Sequence, residues 1–474
     1  MLKLIGKGSE EMTREEKQYI YMTETKIPKL ITLLAIPTVI SMLVTALYNF
    51  SDTYFITMLK NDSITAAANV VFPLMTIIQA IGFMIGMGAG SIIARLLGKH
   101  LVNEANKVAS SALFSAILIG TIIMIFGLIF INPLMIVIRA SDTVKPYAKE
   151  YAFYIILAAP IMMGSYVLNN GLRAEGKAKL STIGLVIGVC LNILLDPLFI
   201  FVFNMGIKGA SIATAISMVV GFVILLIFYL ANKTVVKLGF KSISFKLNDY
   251  GLIFMIGLPS LLRQGLASIA TIILNNQAYV YGGDPGTAAM GVVAKITQIV
   301  FMIMLGIGQG YQPVVGYNYS AKKYHRVKQA FWFMVIMSSI VMLVGSLSLA
   351  ITSRLLVSVL VHDETGVKIG VNTLLFQCIG LVFCPLGVAC NMSFQSLGKK
   401  ARAILVSCLR QGICYIPFII VLPIFIGVTG VELSLMIADI LTFIICIPFA
   451  MSFFKEINKK IDLLDKPVET AEQI

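Results

Sequence analysis

The sequence predicts an all-α integral membrane protein: twelve transmembrane helices arranged as two pseudo-twofold-related six-helix bundles. Three observations carry this. The chain is 58% hydrophobic and only 13% charged, whereas a soluble domain carries about a quarter charged residues. Apolar stretches of roughly 20 residues recur along its length, each able to cross a bilayer core of about 30 Å as a helix. A shift of 222 residues lays the first half on the second: between Asp62 and Gly88, 11 of 27 positions are identical to Asp284–Gly310 without a gap. A transmembrane barrel would show alternating segments of about ten residues, but runs such as 113–131 and 216–230 are continuously apolar.

Twelve spans follow in order, near 28–50, 65–94, 106–131, 145–169, 180–203, 207–231, 250–281, 287–317, 326–352, 367–395, 402–426 and 430–454. Residues 1–27 form a polar tail with no cleavable apolar signal, so span 1 is expected to direct insertion. The N-terminal lobe covers 28–231, a Lys- and Ser-containing linker 232–249, the C-terminal lobe 250–454, and a tail 455–474. Six spans return the chain to its starting side, so the two copies share one orientation. Loops and tails on the terminal side hold 27 of the 37 Lys and Arg, and those on the opposite side seven. Both termini are therefore expected to be cytoplasmic. The net charge of +14 is topological and gives no reason to expect nucleic acid.

Spacing excludes several chemistries. The seven cysteines lie in apolar runs, and neither CxxC nor HxxxH occurs. GxSxG, HExxH and a completed P-loop are absent, so no enzyme and no cofactor is expected. Gly82, Gly86 and Gly90 in span 2, and Gly306 and Gly310 in span 8, recur at the interval that lets helices approach closely. Pro37 and Pro259 occupy matching places in spans 1 and 7, as static kinks or as bending elements.

Charges at membrane depth are costly and point to function. Asp52 ends span 1. Asn192 and Asp196 lie four apart in span 5 and so share a face, and Pro197 frees a carbonyl one turn back. Carboxylate, amide and carbonyl oxygens suit a coupling cation, Na⁺ or a proton. The bland alternative is an interhelical hydrogen bond or a wet outer mouth. The second copy has Leu274, Cys414 and Phe418 at the equivalent positions. It carries Arg263, Lys295, Arg410 and Asp439 instead, either neutralising one another or anchoring substrate. Tyr48, Met75, Met87, Gln264, Lys295 and Met302 are candidate substrate-cavity residues, since thioethers and rings adapt to varied ligands. In a chain with 24 Met and 28 Phe, most such side chains face lipid or core.

Several motifs together resemble the multidrug and toxic compound extrusion (MATE) transporters over about 25–455. They are Tyr48-Asn-Phe-Ser-Asp52, Gly86-Met-Gly-Ala-Gly90-Ser with Arg95-Leu-Leu-Gly98, Arg173-Ala-Glu-Gly176, Asn192-Ile-Leu-Leu-Asp196-Pro, Gly209-Ala-Ser-Ile-Ala-Thr214, and Gly308-Gln-Gly-Tyr-Gln-Pro313. The resemblance implies a bacterial plasma-membrane antiporter, expected as a monomer, that exports drugs and mostly cationic organic molecules in exchange for Na⁺ or H⁺. It implies a coupling site at Asp52, Asn192, Asp196 and Thr214; only the resemblance brings in Thr214. Members with acidic residues in spans 7 and 10 differ from this chain. Three rivals stand beside this expectation. A lipid-linked saccharide flippase would need several cavity arginines, an intramembrane enzyme would work without an ion gradient, and a passive channel would not saturate.

Overall fold

The computed structural model describes residues 12–138 and 140–465. The start of the expected N-terminal tail (1–11), Arg139 and the end of the C-terminal tail (466–474) lie outside the described residues. The helices are α1 (Arg14–Glu24), α2 (Ile27–Thr57), α3 (Asp62–Leu97), α4 (Val102–Ile129), α5 (Ile131–Val137), α6 (Lys145–Leu157), α7 (Ala159–Ala174), α8 (Ala178–Pro197), α9 (Gly206–Leu230), α10 (Leu247–Ser320), α11 (Tyr324–Leu360), α12 (Glu364–Leu381), α13 (Cys384–Ser396), α14 (Lys400–Cys408), α15 (Ile416–Ile426) and α16 (Val428–Asp465). Nine apolar helical stretches among the described residues are long enough to cross a membrane, and two bent pairs, α6–α7 and α12–α13, add one span each. At 74 residues, α10 would extend about 110 Å, far beyond one bilayer. It divides at Gly283 (φ 62°, ψ −158°), a conformation open to glycine and costly for a residue with a Cβ. Its limbs, 247–282 and 284–320, complete twelve spans. The repeat is visible in shape as well: α6–α7 bends by 47° and α12–α13 by 50°.

Glycine spacing serves two distinct contacts. A Cβ at Gly82, Gly86 or Gly90 would meet Met163, Tyr166 or Asn170 of α7 at 2.6–3.1 Å, so this stripe packs the N-terminal lobe internally. On another face, a Cβ at Gly88 would collide with the Ile253 carbonyl, and one at Gly257 with the Met84 carbonyl. A Cβ at Gly306 or Gly310 would come within 2.7 or 2.6 Å of Val39 or Ala35. These contacts join the two lobes along a seam. Thr38 donates across it to the Gly306 carbonyl (2.6 Å), Gln312 to Ser91 (3.2 Å) and Arg95 to the Leu397 carbonyl (3.2 Å), and Arg173 donates to Gln309. All of this lies in the halves of α2, α3 and α10 nearest α1 and the linker. Residues 84–94 there are fully buried, as are 306–318. At Pro37 and Pro259 the helices continue unbroken.

Two segments expected as tails are built into the fold. Within the 1–27 tail, Thr13 and Glu16 form a reciprocal capping box that starts α1. This helix buries Met22 and touches both lobes: Gln18 donates to the Glu175 carbonyl (2.5 Å), and Asn318 donates to the Met22 carbonyl (3.0 Å). The expected 455–474 tail begins as helix, because α16 runs on to Asp465 and Glu456 pairs with Lys399.

The linker is pinned by its own backbone. The N–H groups of Val235 and Val236 donate to the two Glu175 carboxylate oxygens (2.8 and 3.1 Å), Lys237 N–H to Asn106 (2.7 Å) and Ser244 N–H to Ser111 (2.8 Å). Losing the Glu175 carboxylate would strand two buried N–H groups, at about 1–3 kcal/mol each. Glu175→Ala is therefore expected to speed tryptic cleavage at Lys233 and Lys237 at least severalfold over wild type, read by limited proteolysis of the detergent-solubilised protein.

Candidate functional site

Inside the N-terminal lobe, α2, α6, α8 and α9 bring one polar cluster together. Asn192 and Asp196, one turn apart on α8, are 1% and 0% exposed, and Thr214 on α9 is 1% exposed. Asn192 Nδ2 donates to Asp196 Oδ1 (3.2 Å) and to Thr214 Oγ1 (3.3 Å). From α2, Tyr48 OH lies 3.5 Å from Thr214 Oγ1. Asp52 Oδ2 accepts from Tyr151 OH of α6 at 3.1 Å. Tyr48 and Tyr151 both lie within electrostatic range of the two carboxylates. The four residues of the expected coupling site thus share one cluster.

The cluster is short of donors. Asp52 Oδ1, Asn192 Oδ1 and Asp196 Oδ2 are buried acceptor atoms without a hydrogen-bond partner. Buried polar atoms are normally paired, and a buried carboxylate with an idle oxygen is costly. Carboxylate and amide oxygens, with the Thr214 hydroxyl, are the ligand types that a hard cation takes. Among the described residues no group of three or more His, Cys, Asp or Glu has metal-site geometry, so the set does not match a transition-metal site. Local sequence creates the position: Pro197 ends the regular helix after Asp196, and a π-helical turn, Leu198–Val202, follows. Such turns widen a helix and recur at functional sites.

The opposite lobe has no counterpart. Leu274 and Cys414 belong to an apolar cluster with Ala270, Ala278 and Ile419. Asp439 is closed off by Arg410, whose Nε and Nη2 reach its two oxygens at 2.6 and 3.2 Å and whose guanidinium stacks on Phe301 at 4.3 Å. One base therefore neutralises Asp439, as the bland reading of that group expected. Arg263 and Lys295 make no ion pair or side-chain hydrogen bond among the described residues.

The expected substrate cavity divides. Met75 is 4% exposed and belongs to the N-terminal core, because its side of α3 faces the lobe interior. Met87 is buried against a cavity of about 20 Å³ at the seam, lined also by Arg173, Gln309 and Gln312, enough for one water-sized occupant. Tyr48 faces Thr214 in the polar cluster. None of these three lies on an open surface. Gln264, Lys295 and Met302 belong to helix faces that run from the seam into a cleft between the lobes. Beyond the seam those faces are uncovered: Gly265, Ser268 and Asn275 on the first limb of α10 and Lys295 and Ile299 on the second are exposed. A Cβ at Gly265 or Gly291 would meet nothing within 4 Å. Sequence reasoning missed Tyr151, since a tyrosine in the outer half of a span also reads as an interfacial anchor.

Comparison with known proteins places this geometry. The MatE family model matches twice, over residues 37–198 and 259–421, in the same register as the internal repeat. "Multidrug export protein MepA" of Staphylococcus aureus (strain MRSA252) is 26% identical over 425 residues, covering 90% of this chain and 94% of that protein. A structure described as "Crystal structure of MATE in complex with MaL6" superposes with a TM-score of 0.89 at 26% identity, covering 94% of this chain and 100% of that one. Another, described as "Outward-facing conformation of a multidrug resistance MATE family transporter of the MOP superfamily", gives 0.89 at 25% identity, covering 95% and 100%.

Proposed function

Since the chain belongs to the MatE family, a multi-pass family whose matched relatives are multidrug efflux transporters, we propose that it is a secondary antiporter that exports drugs in exchange for Na⁺ or H⁺. The observation that carries this reading is the trio of unpartnered buried oxygens on Asp52, Asn192 and Asp196. A cation or proton entering there satisfies them, and its binding energy is available to bias one lobe arrangement over another.

α2 supplies the link between ion and substrate. One end carries Tyr48 and Asp52, and the other holds the seam through Ala35, Thr38 and Val39. An ion drawing Asp52 toward α8 and α9 shifts the same rod that closes the seam. The lobes then rock about a cleft that is open on the side away from α1, in keeping with the outward-facing relative. With the termini cytoplasmic, that side is the cell exterior. In the C-terminal lobe, Asp439 is held by Arg410 and is not free to exchange an ion in this way.

The test is dye efflux from proteoliposomes under separately imposed Na⁺ and pH gradients. At least one gradient is expected to drive dye uphill, and the same dye should not move uphill without it. Equal dye movement with and without either gradient would instead favour a passive pathway.

A further inference from the structure

The cleft face of the C-terminal lobe carries a positive charge, Lys295, that pairs with no carboxylate among the described residues. Lys295 precedes Gly306 by eleven residues, about three helical turns, and so shares its side of α10. That side packs on α2 at Gly306 and Gly310. Val293, Thr297, Val300 and Met304, on the opposite side, are buried in the C-terminal lobe. Lys295 therefore points at the N-terminal lobe from beyond the seam, where the surface is uncovered, and it is exposed. The carboxylates at membrane depth are engaged elsewhere. Asp52 and Asp196 belong to the polar cluster of the N-terminal lobe, Asp439 is bonded to Arg410, and Glu432, buried at the start of α16, has Lys368 as its basic neighbour. The remaining polar groups on the cleft faces of α10 are neutral: Gln264, Ser268, Asn275 and Gln298. Ile77, Ile272, Ile299 and Met302 supply an apolar lining.

We propose that the preferred substrates of this transporter are amphipathic molecules bearing a carboxylate, anions or zwitterions, with the carboxylate received by Lys295. This rests on the transport reading above and narrows its substrate class, which the resemblance had suggested to be mostly cationic. An unpaired ammonium facing the cleft favours an anionic group and disfavours a bare cation. A single such contact in a hydrated site gives about three- to tenfold discrimination.

The experiment compares two probes that differ only at this group, a rhodamine with a free carboxylate and its methyl ester. Gradient-driven efflux of both is measured from proteoliposomes holding the full chain. Wild type is expected to favour the free carboxylate about three- to tenfold, Lys295→Gln to erase the preference, Lys295→Arg to keep it and Lys295→Glu to reverse it. Lys208→Gln, outside the cleft, should leave it unchanged. Efflux of the ester but not of the acid, or an equal loss of both in Lys295→Gln, overturns the inference and leaves drug transport standing. An effect confined to vesicles with anionic lipid means that Lys295 holds a lipid phosphate, and also overturns it. Failure of every probe under every gradient overturns the transport reading itself.

Discussion

Asp196→Asn is expected to abolish gradient-driven efflux while the protein still folds and reaches the membrane. Asparagine keeps the shape of the side chain and an Oδ1 that accepts from Asn192, so the packing of α8 against α9 survives. What it removes is the charge and the idle Oδ2. Truncating one partner of a buried charged contact costs roughly 2–5 kcal/mol, which weakens cation binding by about thirtyfold or more. Initial efflux rates in everted vesicles, normalised to the amount of protein, would measure the effect. Rates within about twofold of wild type would exclude Asp196 from the coupling step.

Gly257→Val is expected to be as damaging by a different route. A Cβ at this position would sit 2.0 Å from the Met84 carbonyl oxygen, and neither backbone can yield without parting the lobes. Overpacking of this kind costs about 1–3 kcal/mol, enough to shift the closed-seam population by about five- to 150-fold. Transport should fall accordingly. A cysteine introduced at Ser91, buried at the seam, should become reactive to a maleimide applied from the α1 side in the Gly257→Val protein. It should stay protected when Gly257 is intact. Full transport with a protected cysteine would show that the contact tolerates a side chain and is not a closed gate.

The parts legible from sequence are those where the membrane makes a residue expensive. Asp52, Asn192 and Asp196 stood out because a carboxylate or amide in a hydrophobic span needs a reason, and the structure gathers them. Arg410 and Asp439 stood out likewise, and they neutralise each other. Thr214 could not be found this way: threonine satisfies its hydroxyl on its own helix, so its presence in α9 carries no signal, and only the family motif selected it. Gly86 and Gly88 show a second limit. Spacing reveals that a helix face is small, but not which neighbour comes close, and these two face different lobes. Met75 was misplaced because an apolar side chain gives no sign of whether it meets core, lipid or cleft. The helix α1 was legible after all in Thr13-x-x-Glu16, a capping signature inside a segment that charge alone marked as a tail.

The central claim is that ion entry at the N-terminal cluster is exchanged for substrate export. It is tested most directly by recording cation influx and substrate efflux together in the same proteoliposomes, for wild type and Asp196→Asn. The account predicts that adding substrate to the lumen raises Na⁺ or H⁺ influx in a fixed ratio to the substrate leaving, and that Asp196→Asn loses both fluxes together. Substrate efflux with no accompanying cation flux, or coupled fluxes that persist in Asp196→Asn, would contradict it.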